Sequence, residues 1–146
     1  MNLQKIITVP EGKLMDYVDG TIRNDTPEEY VRQAVEHRLV EEHMYPKNQI
    51  AIEFGLKIGS RKPRADIVVF IKGSERKQEN IKIIIECKQE KTKADNAKEG
   101  IEQLKSYMAV CPKCEWGMWT NSLQKYVYRK VTGEDKKTGR ENCSGV

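Results

Sequence analysis

Acidic residues interrupt two otherwise apolar runs of this sequence, and a lysine follows the second acid after one intervening residue. Asp66 lies in the run 64–71, Glu86 follows the isoleucines at 83–85, and Lys88 comes next but one. An unpaired carboxylate is expensive to bury, so acids at such positions need a partner. Because side chains alternate along a strand, we expect Glu86 and Lys88 to point to the same face of a sheet.

If the two strands are neighbours, two carboxylates and one ammonium group meet at one end of the sheet. Facing carboxylates repel each other unless one is protonated or a cation bridges them, and Mg²⁺, for which Mn²⁺ can substitute, suits such oxygen ligands. Asp66 and Glu86 are then candidate metal ligands, and the backbone carbonyl of Cys87 adds a further oxygen. Lys88 would orient or help to deprotonate the attacking water. The alternative is a structural salt bridge, in which either acid pairs with Lys88 or Arg64.

A second pair of polar residues lies in a later segment with helical periodicity. Gln103 and Tyr107 are four residues apart, so they share one face of a helix. A glutamine amide can bond a lysine and a phosphate, and a tyrosine hydroxyl can reach a backbone phosphate. The alternative interpretation is an ordinary polar edge of a helix.

Charge is distributed unevenly along the chain. The 26 Lys and Arg residues and 22 Asp and Glu residues give a net charge of +4, but acids predominate before residue 57 and bases after it. The basic part includes the segments 57–64 and 88–98, in which Arg64 and Lys91 are candidate contacts for DNA phosphate. Such asymmetry suits a phosphate-rich partner, and the alternative is a solvated lysine-rich face.

The length and composition predict one domain. A chain of 146 residues is too short for two ordinary domains, and no apolar run is long enough to cross a membrane. The N-terminus lacks the apolar stretch of a secretory signal, and four cysteines do not make a disulfide scaffold, so we expect a cytoplasmic protein. We divide the chain into an N-terminal extension (1–25), a domain (26–130) and a polar C-terminal tail (131–146).

Helix and strand signals alternate within the domain. Thr26 is predicted to cap a first helix over 27–44, with Pro27 in its first position and Glu29 completing a capping box. A second helix is expected over 95–110. Strands are predicted over 49–56, 64–71, 81–88, 116–120 and 126–130. The order α-β-β-β-α-β-β predicts an antiparallel meander, a helical crossover to a parallel strand, and a mixed α/β sheet with helices on both faces.

The ordered set of these motifs resembles the PD-(D/E)xK nuclease superfamily. More closely, it is similar to the N-terminal nuclease domain of the R subunit of type I restriction enzymes, over roughly residues 26–130. The residues that carry the resemblance are the opening segment 27–33, Arg64-Ala-Asp66, Ile84-Ile-Glu-Cys-Lys88, Gln103-Leu-Lys-Ser-Tyr107 and Trp119-Thr-Asn121.

The resemblance implies a restriction-endonuclease-like fold and Mg²⁺-dependent cleavage of double-stranded DNA. In such a family Asp66 and Glu86 would hold the metal, and Lys88 would serve the nucleophilic water. Gln103 and Tyr107 would help to position DNA or the active site.

An acid on the first helix sometimes joins the metal site in this superfamily. Glu29 is the first candidate and Glu36 the second, although the predicted capping role explains Glu29 without a metal. No Walker-type glycine-rich loop occurs, so the resemblance implies either an excised nuclease domain or a stand-alone relative. Its partners would then be other restriction-complex subunits or a helicase motor segment. The competing hypothesis is a non-catalytic module that binds DNA or a partner on the same fold.

Overall fold

A computed structural model of the chain describes residues 8–131 and the backbone of residues 143–145. It contains two helices, α1 (Pro27–Glu41) and α2 (Ile101–Ala109). Short 3-10 turns lie at Lys47–Gln49 and Gln78–Asn80. The strands are β1 (Lys13–Met15), β2 (Ile22–Asn24), β3 (Ile50–Gly55), β4 (Arg64–Phe70), β5 (Ile81–Cys87), β6 (Trp116–Thr120), β7 (Lys125–Arg129) and β8 (Cys143–Gly145).

The main sheet is mixed, and its strand order follows the chain from β3 to β8. Strands β3, β4 and β5 form an antiparallel meander, whereas β5 and β6 are parallel and are connected through α2. Strands β6, β7 and β8 are again antiparallel. The predicted α/β class and the crossover after the meander are therefore confirmed.

The two helices cover opposite faces of the sheet, so the core has two separate layers. The layer under α1 includes Val31, Leu39, Ile67, Val69 and Ile85. The layer under α2 includes Val68, Ile84, Leu104, Met108 and Trp119. Strands β4 and β5 contribute alternate side chains to both layers, which explains their nearly continuous apolar sequence.

The start of α1 agrees only in part with the predicted capping box. Thr26 is the N-cap, and its Oγ1 accepts a hydrogen bond from the Glu29 N–H at 3.1 Å, with Pro27 following it in the first position. A capping box also predicts that the Glu29 carboxylate accepts a hydrogen bond from the Thr26 N–H. That prediction is wrong, because the carboxylate binds Arg32 and Gln33 instead. Glu29 is therefore held by a buried ion pair that the local pattern did not reveal.

Several boundaries differ from the sequence prediction by more than one residue. Helix α1 ends at Glu41, where we predicted helix to residue 44. A two-stranded hairpin, β1–β2, lies within the segment 1–25, which carries no strand signal. Helix α2 begins at Ile101, with Gly100 as its N-cap, and turns precede it where we predicted helix from residue 95. In the predicted tail, 132–142 and 146 lie outside the described residues, whereas 143–145 pair with β7.

None of the helices in the described residues has the length and apolarity that a membrane span requires.

Candidate active site

Asp66 and Glu86 lie opposite each other where β4 and β5 stop pairing. The last backbone pair at this end of the two strands is Ile67 with Ile85. One residue further, the Asp66 N–H donates to Glu86 Oε2 at 2.8 Å, and the Cys87 N–H donates to Asp66 Oδ2 at 2.8 Å. Each carboxylate thus accepts a hydrogen bond from the opposite strand, which fixes the orientation of both acids.

Lys88 lies beside the second oxygen of Glu86. Its Nζ is 3.7 Å from Glu86 Oε1, and the residue is buried. The Lys88 N–H donates to the carbonyl of Thr120 at 2.8 Å, so the neighbouring parallel strand holds the lysine in place. The second oxygen of Asp66, Oδ1, lies 3.9 Å from Arg32 Nη1. Both separations exceed a direct hydrogen bond, so each acid presents one oxygen to a nearby cation.

Burial dominates the electrostatics of these groups. It raises the pKa of Asp66, and burial together with repulsion from Asp66 raises the pKa of Glu86 to about 8. Burial alone would lower the pKa of Lys88, but the charges of Glu86 and Asp66 outweigh it and raise that pKa. At neutral pH Lys88 is therefore an ammonium group, and the two acids do not both carry a full negative charge unless a further cation joins them.

A polar cleft of about 580 Å³ opens at Asp66, between α1 and the β1–β2 hairpin. Glu28, at the start of α1, is half-buried in its wall. Burial and the negative charge of Asp66 raise the pKa of Glu28, whereas the positive charge of Lys88 lowers it. Glu28 is thus an α1 acid in electrostatic contact with both Asp66 and Lys88.

Arg32 and Glu53 complete the wall of this cleft. The Arg32 Nη1 atom lies 3.3 Å from Glu53 Oε1, and the same nitrogen faces Asp66. Glu53 lies in β3 between Ile52 and Phe54, which pair with Ile67 and Ala65 on either side of Asp66, and its φ of 52° is in the left-handed region, which is uncommon outside glycine. Arg23 and Arg64 also approach the Glu53 carboxylate, at 3.2 and 3.7 Å.

Gln103 and Tyr107 lie on the buried side of α2. Within the described residues, Gln103 Oε1 is a buried oxygen without a hydrogen-bond partner. Tyr107 is 4% exposed and packs in the core layer under α2. Burial and the negative charge of Glu86 raise the pKa of its hydroxyl, so this hydroxyl is electrostatically coupled to the acids. Both residues lie on one helix face, as predicted, but the burial of the Tyr107 ring leaves little surface for base stacking.

The two first-helix acids selected from the sequence belong to another cluster. Carboxylate oxygens of Asp16, Glu29 and Glu36 lie within 4.8 Å of one another. Gln33 Nε2 lies within hydrogen-bonding distance of all three acids, at 3.0, 2.8 and 3.1 Å respectively, and its two hydrogens are shared among them. Burial, together with hydrogen bonding to and repulsion from Asp16, raises the pKa of Glu36 to about 9. The raised pKa of Glu36 and the Gln33 amide both reduce the repulsion among these three acids.

The basic residues chosen as DNA contacts lie at the surface. The side chain of Arg64 is 71% exposed at the start of β4, and Lys91 is exposed in the loop 88–100. Two residues of the Trp-Thr-Asn motif hold this loop: Trp119 Nε1 donates to the carbonyl of Glu99 at 2.8 Å, and Asn121 donates to that of Thr92 at 2.9 Å. The motif thus positions the segment that carries Lys91.

Sequence reasoning missed Glu28, Arg32 and Glu53. The signal for Glu53 was available, because it is an acid within an apolar strand, which is the criterion that selected Asp66. Arg32 gave no such signal, since an arginine on a helix is ordinarily solvated. Glu28 was passed over because Glu29 fitted a capping pattern.

One comparison with known proteins gives a match. A family model described as type I restriction enzyme R protein N terminus matches residues 27–141, most of the chain. Comparisons with curated proteins and with solved structures return no match.

Proposed function

The chain belongs to the family of type I restriction enzyme R protein N termini, and from this premise we propose that it is a Mg²⁺-dependent endonuclease domain that cleaves double-stranded DNA. The observation that supports this function is the meeting of Asp66, Glu86 and Lys88 where β4 and β5 separate. We assign the site to the PD-(D/E)xK type. Other restriction-complex subunits and a helicase motor segment are the partners that this family suggests.

The donors present fit a hard divalent ion. Asp66 Oδ2 and Glu86 Oε2 accept backbone hydrogen bonds, and the remaining oxygens, Oδ1 and Oε1, face cations at distances too long for direct bonds. We propose these two oxygens as metal ligands, with the carbonyl of Cys87 as a third ligand and Glu28 in place of Glu29 as the acid from α1. When bound, Mg²⁺ would supply positive charge to the phosphate and make a coordinated water more acidic.

The protonation state of Lys88 determines its proposed role in the reaction. As an ammonium group it donates hydrogen bonds, so it orients the attacking water and stabilises negative charge on the phosphate oxygens. It is not the proton acceptor in this state. The Gln103 oxygen, which has no hydrogen-bond partner within the described residues, is the proposed acceptor for a hydrogen bond from that water, and Tyr107 keeps the helix face against the sheet.

DNA would approach over the exposed basic residues. Arg64 and Lys91 are the proposed phosphate contacts, and their exposure leaves both free to move toward a duplex. Such contacts give affinity that falls steeply with salt and carries no base specificity.

The test is cleavage of supercoiled plasmid with Mg²⁺ or Mn²⁺ by the parent chain and by Asp66→Asn, Glu86→Gln and Lys88→Met. We expect each substitution to reduce nicking by about 100-fold or more, because each removes a group that acts on the reacting atoms. Glu79→Gln and Lys72→Met are matched controls, since both residues are exposed in the turn at the far end of β4 and β5. They should nick like the parent.

Undiminished nicking by all three site variants would overturn this assignment. DNA binding by a parent chain that nicks with neither ion would instead favour the binding-module hypothesis. Asp66→Asn should bind DNA more tightly than the parent, because a negative charge next to phosphate is removed.

A further inference from the structure

A buried arginine lies between two acids at the edge of the proposed metal site. Arg32 is 5% exposed, and its Nε donates to Glu29 Oε1 at 3.0 Å, while Nη2 binds the other oxygen of the same carboxylate. This two-bond contact fixes the plane of the guanidinium group. The third nitrogen, Nη1, therefore has a defined position.

That third nitrogen lies between two carboxylates of neighbouring strands. It is 3.3 Å from Glu53 Oε1 and 3.9 Å from Asp66 Oδ1. Glu53 leaves the regular strand conformation at this point, with a φ of 52°. The fixed positive charge of Arg32 thus faces both the Glu53 carboxylate of β3 and the Asp66 carboxylate of β4.

Two-metal sites in nucleases place a pair of ions about 3.5–4 Å apart. Here Asp66 is flanked by Glu86 on one side and by Glu53 on the other. Within the described residues, Arg32 Nη1 lies within 4 Å of both Asp66 and Glu53, whereas Lys88 Nζ forms such an ion pair with Glu86 but not with Asp66. An arginine is always charged, and two hydrogen bonds to the Glu29 carboxylate hold Arg32 in place.

We propose that the site takes a single divalent ion, between Asp66 and Glu86, and that Arg32 permanently supplies the second positive charge. This inference rests on the proposed nuclease function and specifies its metal stoichiometry. Arg32 is a positioning residue in this arrangement. It keeps Asp66 and Glu53 in place and excludes a second ion from the cleft.

The experiment counts Mn²⁺ ions bound to the folded chain, by calorimetric titration and by the EPR signal of free Mn²⁺. We expect one ion for the parent, two for Arg32→Met, and one again for Arg32→Met combined with Glu53→Gln. Arg38→Met is the matched control, because Arg38 is exposed on the same helix, and it should bind one ion. Circular dichroism would check that every variant is folded.

Two ions bound by the parent, or one ion bound by a folded Arg32→Met chain, would overturn this inference and leave the nuclease site standing. No ion bound by the parent would overturn the proposed function and this inference with it. If Arg32→Met does not fold, Glu53→Gln still decides. We expect it to bind one ion with the affinity of the parent, and a loss of that ion would make Glu53 a ligand and overturn the assignment.

Discussion

Two neighbouring glutamates at the start of α1 have different surroundings. Both line the cleft, but Glu28 is half-buried, with Asp66 and Lys88 contributing to its electrostatic environment. Glu29 is buried, and its two oxygens bind Arg32 and Gln33. Proximity in the chain therefore does not give the two acids the same role.

Substitution of Glu28 should change metal affinity, whereas substitution of Glu29 should change stability. We expect Glu28→Gln to weaken Mn²⁺ binding by about tenfold or more while leaving the unfolding free energy nearly unchanged. Glu29→Gln should lower the unfolding free energy by about 3 kcal/mol, because it leaves Arg32 buried without its charged partner. Calorimetric titration and urea denaturation measure the two effects. An equal loss of Mn²⁺ affinity in both variants, without a difference in stability, would contradict this division.

Gln103 illustrates a conflict between stability and activity. Within the described residues its Oε1 is buried and has no hydrogen-bond partner, which costs about 1 kcal/mol or more. Gln103→Met should therefore raise the unfolding free energy by about 1 kcal/mol and, if Gln103 has the proposed role, reduce DNA cleavage by about tenfold or more.

Glu102→Gln, on the exposed side of the same helix, is the control for this experiment and should alter neither property. Thermal denaturation and plasmid nicking are the two measurements. A clear loss of stability in Gln103→Met would show that the amide oxygen has a stabilising partner in the folded chain.

At the scale of elements, the start of α2 depends on one glycine. Gly100 is the N-cap of this helix, and a Cβ there would collide with the backbone carbonyl oxygens of Ala94 and Asn96. Neither of those atoms can move without moving the loop that ends at α2. Gly100 thus sets where the helix that carries Gln103 begins.

Gly100→Ala should therefore destabilise the chain by about 2 kcal/mol and reduce cleavage, because the turn and Gln103 must shift together. Gly55→Ala is the control. Gly55 lies at the end of β3, and a Cβ there would have no neighbour within 4 Å. Chemical denaturation of both variants makes the comparison, and equal stabilities would refute this explanation of the α2 boundary.

The hairpin β1–β2 is joined to α1 by a buried carboxyl pair, Asp16 and Glu36. Asp16 accepts from Arg23 Nε at 3.0 Å and from Gln33, and Glu36 accepts from the backbone of Val18 at 3.1 Å. Burial, and then hydrogen bonding to and repulsion from Asp16, raise the Glu36 pKa from 4.5 to about 9. Glu36 is fully buried, so it stays protonated in the folded chain at neutral pH.

This pair makes stability depend on pH in a defined direction. Between about pH 5 and 9 the folded chain retains a proton on Glu36 that the unfolded chain releases, so the unfolding free energy falls as the pH rises. The limiting slope is about 1.4 kcal/mol per pH unit for one proton. Glu36→Gln should reduce that slope, because the amide does not ionise. Part of the slope should remain, since the pKa of Glu86 is also raised.

Thermal melts between pH 5 and 9 measure this slope, with Glu41→Gln as the control on the exposed side of the same helix. A parent chain that gains stability over this interval would show that Glu36 ionises at its ordinary pKa.

The elements that sequence patterns predicted are those with strong periodicity. The predicted ends of strands β3 to β7 agree with the structure to within one residue, because apolar runs and alternation reflect burial on one or both faces. The hairpin β1–β2 did not, since each strand has three residues and ion pairs rather than an apolar face hold it.

The residues of the candidate site also fall into two groups, those that sequence patterns predicted and those that they did not. Asp66, Glu86 and Lys88 were predicted to meet because an acid in an apolar strand needs a partner, and alternation fixes which side chains share a face. Glu53 had the same signal as Asp66, but its contact with Arg32 was not predicted, because that contact depends on the packing of α1 and on a local left-handed residue. Tertiary contacts of this kind leave no periodic trace in the sequence.

At the scale of the whole molecule, the N-terminal segment contributes ion-pair partners to the domain. The boundary that we predicted at residue 26 separates Arg23 from Glu53, which it approaches at 3.2 Å, and Asp16 from Gln33. Removal of residues 1–25 would leave Glu36 and Glu53 without these partners beside a newly opened cleft. We therefore expect the segment to affect both stability and the proposed metal site.

A chain of residues 26–146 should unfold with a free energy lower by about 3 kcal/mol or more than the full chain, since buried ion pairs lose one partner. Its stability should also vary less with pH above pH 5, because Glu36 becomes solvated and its pKa returns toward 4.5. Arg23→Gln in the full chain separates the ionic part of the loss from that of the hairpin packing. Urea denaturation at pH 6 and pH 8.5 measures both the unfolding free energy and its dependence on pH. If the shortened chain has the stability and pH slope of the full one, the domain begins at residue 26, and the contacts of the hairpin with α1 and β3 contribute nothing to folding.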